Sequence, residues 1–117
     1  MLIIDKNKLI KQKILDSVKY AIDHGYTIIS DDFGNFRDQC LCPLGCVALK
    51  NNADPCDSKK ISDILLVDED WIFSFAAGFD GNGKANNAGN SEAWKIGEEL
   101  SVEIDPISYT KYISTQE

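Results

Sequence analysis

The chain has 117 residues, 44% of them apolar and 26% charged, with a formal net charge of −7. This length suits a single globular domain over 1–117, and the balance of apolar and charged residues excludes wholesale disorder. The acidic excess argues against a direct affinity for nucleic acid or anionic lipid, and no apolar run is long enough to span a bilayer. Met1-Leu2-Ile3-Ile4-Asp5-Lys6 lacks the basic lead and apolar stretch of a signal peptide, so a cytoplasmic location is expected.

Taken in chain order, Ile10, Ile14, Val18, Ala21 and Ile22 recur at spacings of three and four, which predicts a helix over 7–24. Asp5 or Asn7 is suited to cap its start, and Gly25 to end it in a left-handed conformation. Tyr26 to Ile29 is β-prone, and Phe33 to Gln39 reads as a loop with Gly34-Asn35 as its turn signal. Pro43 opens a second helix after Cys42, with Leu44, Val47 and Ala48 on its apolar side. Asp57 or Ser58 caps a third helix that turns Ile61, Ile64 and Leu65 inward.

Asp68 or Asp70 then opens a fourth helix, in which Trp71, Ile72, Phe75, Ala76 and Phe79 keep helical spacing and Gly78 is the stop. Trp71, Phe73 and Phe75 also alternate, so a hairpin within 64–77 competes with two helices. Ala76-Ala77-Gly78 favours the helices. Phe79 to Asn90 reads as a long polar loop, and Asn90 or Ser91 caps a last helix through about Glu103. The tail through Tyr109 and Tyr112 either folds back onto the core or frays.

The expected fold is mainly α: a compact domain of four to five short helices, with room for one small β-hairpin. Ile14, Val18, Ile22, Leu44, Val47, Ile64, Leu65, Trp71, Phe75, Phe79, Trp94 and Leu100 are its expected core. Gly45 and Gly97 fall inside predicted helices, where glycine costs about 1 kcal/mol relative to alanine. Close approach of a backbone or of a ring, with Trp71 or Trp94 as ring candidates, would explain them.

Cys40, Cys42, Cys46 and Cys56 are the chain's cysteines, separated by one, three and nine residues. Four thiolates can hold zinc, although the usual two-residue knuckle spacing is missing. Small buried apolar residues are the competing role. Cys42 at a helix N-terminus would have a lowered pKa, and His24, the one histidine, would be the base of a thiol enzyme. Gly78 to Ala85 imitates a phosphate loop but has Ala85 where a magnesium-binding hydroxyl is needed. As a calcium loop it fails at Lys84, Ala85 and Ser91.

Cys42-Pro43-Leu44-Gly45-Cys46, Gly78-Phe79-Asp80-Gly81 and Ala93-Trp94-Lys95-Ile96-Gly97 together resemble the motif series of small bacterial and phage proteins without an assigned activity. The resemblance implies a mostly helical single domain and transfers no functional residue.

Residues 1–25 hold five lysines against three acids, whereas residues 26–117 hold seven basic groups against sixteen acids. The expected function is therefore a non-enzymatic interaction or regulatory module with an acidic surface, an inhibitor carried by a phage or other mobile element being its sharper form. It needs no cofactor, and its partner is a basic protein. Asp68, Glu69 and Asp70 form the densest acidic cluster, and Phe79, Asp80 and Asn82 from the polar loop complete the candidate docking set. The alternative is a zinc-binding or thiol-redox protein using Cys40, Cys42, Cys46 and Cys56.

Overall fold

The computed structural model describes residues 5–116. Helix α1 spans Lys6–Asp23, capped by the Asp5 carboxylate, which accepts from the backbone N–H groups of Asn7 and Lys8. It buries Ile10, Ile14, Val18 and Ala21, and Gly25 (φ +88°) follows its end. Ile22 is a correction to the expected core: it is 53% exposed. It sits next to Ala21 on the edge of the stripe, and the last turn of α1 rotates it past the core.

Strands β1 (Thr27–Ser30), β2 (Gly34–Asn35) and β3 (Cys40–Leu41) follow. Strands β2 and β3 form the small antiparallel hairpin, and β1 lies parallel to β3 with Thr27 opposite Cys40. Gly34–Asn35 thus makes a strand rather than only a turn. Gly34 adopts φ +88°, and a Cβ there would strike the Cys40 carbonyl. Helix α2 (Pro43–Lys50) starts at Pro43, which needs no N–H partner there, behind the Cys42 cap. Helix α3 (Ser58–Leu65) is capped by Asp57. Ile61 and Leu65 are buried, whereas Ile64 is only partly so.

Helix α4 (Glu69–Asp80) resolves the competition within 64–77 in favour of helices. Its stop lies later than expected, because Gly78 is inside it and Gly81 (φ +76°) terminates it. Helix α5 (Ser91–Ile104) is capped by Asn90 and packs against α4. Both crossing glycines face backbone. A Cβ on Gly78 would strike the Trp94 carbonyl, and one on Gly97 would strike the Phe75 carbonyl and lie 2.8 Å from the Phe79 nitrogen. Gly45 likewise meets the Phe33 carbonyl, at 2.6 Å. The nearest atoms belong to Phe33 and Leu41 at Gly45 and to the Phe75 and Phe79 backbone at Gly97, not to a tryptophan ring.

The tail folds back. Strand β4 (Ile107–Ser108) pairs in parallel with β1, giving the sheet order β2-β3-β1-β4, and helix α6 (Tyr109–Thr115) closes the sheet's second face. The Tyr112 hydroxyl donates to the Asp38 carbonyl at 2.7 Å. Six α-helices are therefore present among the described residues, one more than the upper expectation, because a seven-residue helix is too short to announce itself by periodicity.

Most buried side chains form one core between the helices and the inner sheet face, while Ile29, Cys40 and Tyr112 form a smaller cluster beneath α6. Trp71, Phe75 and Phe79 run along the buried side of α4, with ring centroids 5.5 and 6.2 Å apart. Burying each such side chain contributes roughly 1.5–3 kcal/mol. This ladder fixes where α4 ends, and so places Asp80. No helix among the described residues is long and apolar enough to cross a membrane.

Candidate functional site

The β1–β2 turn, the start of α2 and the last turns of α4 enclose a pocket of about 360 Å³. Its wall is apolar, formed by Phe33, Pro43, Leu44, Phe75, Ala76 and Phe79. Asp31, Asp32 and Asp80 supply carboxylates, and Cys42 and Cys56 supply thiols.

Local conformation holds the acids there. Asp31 adopts φ +67°, a left-handed state that aspartate tolerates better than most residues. Its backbone N–H donates to Asp80 Oδ1 at 2.8 Å, which ties the turn to the end of α4. Asp32 Oδ1 accepts the Gly34 N–H at 2.8 Å and closes the turn. Asp80 is half-buried at a helix C-terminus, where the backbone dipole opposes a negative charge. Burial raises its pKa above the ordinary carboxyl value of 3.8, and Asp31 and Asp32 add to the rise, against the lowering by the Asp31 N–H. None of the three carboxylates has a lysine, arginine or histidine within ion-pair distance among the described residues.

The six expected docking residues divide. Phe79 and Asp80 line the pocket, but on a helix rather than a loop, and the Phe79 ring is 4% exposed and belongs to the core. Asn82 is exposed and outside the pocket lining. It serves the fold, its carbonyl accepting the Trp94 indole N–H at 3.0 Å. Asp68, Glu69 and Asp70 lie at the opposite end of α4, about 16 Å away at 1.5 Å per residue. Asp68 caps the helix, accepting the Trp71 N–H at 2.9 Å, and Glu69 and Asp70 occupy the first turn. The triplet borders a separate surface depression, with Lys59, Ser62 and Val67. Asp31, Asp32 and Phe33 were not expected at a site. The acidic pair directly after a β-prone segment is the one signal that could have indicated them.

The cysteines occupy different surroundings. Cys40 and Leu41 point to opposite faces of β3, so Cys40 is buried beneath α6. Cys46 is buried in α2, Cys42 caps α2 through a 3.4 Å contact from the Gly45 N–H, and Cys56 is exposed. Among the described residues, no group of three or more His, Cys, Asp or Glu side chains is placed to hold a metal ion. Burial pushes the Cys42 thiol up to about 12, outweighing the helix-terminal amides, which corrects the expected lowering. Burial raises the other three thiols as well. His24 sits at the end of α1, with Nδ1 2.7 Å from the Tyr20 carbonyl and its ring stacked on Tyr20.

A second depression of about 390 Å³, between α1, α2 and α3, mixes Lys13 and Lys50 with Asp16 and has no dominant charge. No family model matches the chain, and neither a curated protein nor a solved structure shows significant similarity to it.

Proposed function

We propose that this protein is a non-enzymatic interaction module that docks a basic protein partner at the pocket between the β1–β2 turn and the end of α4. One observation carries the reading: three carboxylates without a cationic partner among the described residues surround an apolar wall. Carboxylates that serve folding alone are normally exposed, or placed where a helix start or a cation stabilises them. Asp31 and Asp32 are exposed, but Asp80 is half-buried with neither a helix start nor a cation beside it, and its cost is offset when a cation arrives. The raised thiol pKa values favour binding over thiol chemistry, since the thiolate is the reactive form. Cys40, on the far face of β3, lends no support to a shared four-cysteine zinc site. An inhibitor or regulator carried by a phage or other mobile element is the sharper form of such an acidic module.

The test is partner capture from the source cell at low and high salt, with three proteins compared: the parent, Asp31→Asn/Asp32→Asn/Asp80→Asn, and Asp68→Asn/Glu69→Gln/Asp70→Asn. The parent should hold its partner at low salt and release it as salt rises, the first variant should lose it, and the second should behave as the parent. Equal recovery by all three proteins at both salt levels would refute acidic recognition.

A further inference from the structure

We infer that the pocket is a seat for one arginine side chain of that basic partner, an assignment that rests on the reading above. The volume of about 360 Å³ lies at the low end for ligand pockets, which suits a single side chain better than an extended molecule. Phe33 and Ala76 are the partly exposed members of the apolar wall, and an aliphatic or planar stem would cover them where a bare metal ion would not. The acceptors belong to two separate segments, Asp31 and Asp32 on the turn and Asp80 on α4. Whereas an ammonium acts as a point charge, a guanidinium presents five donors in a rigid plane and so engages acceptors from two segments in a fixed geometry. It is also more weakly hydrated, so it enters a half-buried site at lower desolvation cost.

The acceptors are oriented in advance. Asp32 and Asp80 each have Oδ1 held by a backbone N–H, at 2.8 Å in both cases. Each leaves Oδ2 without a hydrogen-bond partner among the described residues. A carboxylate fixed through one oxygen has little freedom left to lose when the other is engaged.

The experiment titrates the isotope-labelled full chain with three blocked tripeptides and follows its backbone amide resonances. The central residue is arginine, lysine or citrulline, the last being a neutral mimic of arginine. The arginine peptide should shift the amides of residues 31–34, 42–44 and 79–80 saturably. Citrulline should bind about tenfold more weakly, having lost the charge-assisted bonds, and lysine should fall between them. Asp32→Asn/Asp80→Asn should abolish the response while the rest of its spectrum stays parental, because asparagine keeps the oxygen that each backbone N–H needs. The assignment is overturned by a citrulline or lysine peptide that binds as tightly as the arginine one. It is equally overturned if the arginine peptide gives no saturable shift at these residues, or shifts centred on Asp68–Asp70. Salt-sensitive capture that the parent shows and the pocket variant loses, combined with a peptide result of the overturning kind, would leave docking at the pocket standing and remove the arginine seat alone; capture retained by the pocket variant would remove both.

Discussion

The two ends of α4 both carry acids, with opposite physical meanings. At its start, Asp68 caps the helix and Glu69 and Asp70 sit in the first turn, where the backbone dipole favours negative charge. At its end, Asp80 lies where the dipole opposes it, is half-buried, and faces Asp31 and Asp32. The first arrangement stabilises the fold and needs no partner to account for it. The second costs stability, and such cost concentrates at binding sites. Acid density along the sequence points to the start of the helix, whereas burial and the dipole single out Asp80 at its end, because density says nothing about local field or solvation.

The comparison breaks most severely if α4 loses its seat on α5. A Cβ at Gly97 would press on the backbone of Phe75 and Phe79, which cannot swing aside as a side chain can. Gly97→Ala should therefore destabilise by about 1–3 kcal/mol through overpacking, despite a helix-propensity gain of about 1 kcal/mol. Gly97→Leu should cost more. Urea denaturation midpoints report both, and an alanine variant more stable than the parent would remove the close-packing account.

A smaller loss is expected at the start of the helix. Asp68→Ala should lower stability by about 1 kcal/mol through loss of the cap to Trp71. Glu69→Gln and Asp70→Asn should each cost about 0.3–1 kcal/mol at low ionic strength, and less as salt rises. All three variants should leave partner capture unchanged.

The smallest effect has the opposite sign. The raised pKa of Asp80 means that the folded chain takes up this proton more readily than the unfolded chain. Between the ordinary carboxyl value and that raised value, its contribution to stability falls as pH rises, and above both the charge is a standing cost. Asp80→Asn should therefore raise Tm slightly at neutral pH. The gain should fade as pH is lowered through the raised value towards the ordinary 3.8, where the parent carboxyl is also neutral. A variant that is less stable than the parent at neutral pH would contradict the contrast between the two ends.

Five of the six helix-forming segments among the described residues were legible from residue order alone. Asp5, Cys42, Asp57, Asp68 and Asn90 cap the helices beginning at Lys6, Pro43, Ser58, Glu69 and Ser91, and the apolar spacings within those segments match the buried faces except at Ile22 and Ile64. Caps and periodicity are properties of neighbouring residues, so sequence carries them directly. Other features depended on residues distant in sequence. Gly78 reads locally as a stop but lies in the last turn of α4, where the Trp94 backbone crosses it. Gly34–Asn35 reads as a turn but pairs with Cys40–Leu41, and Ile107–Ser108 becomes a strand only because β1 offers it an edge. The pocket belongs to this second class. Asp31 and Asp80 are 49 positions apart and meet only when α4 has been placed by α5, so the field and desolvation that set Asp80 apart are products of the tertiary fold.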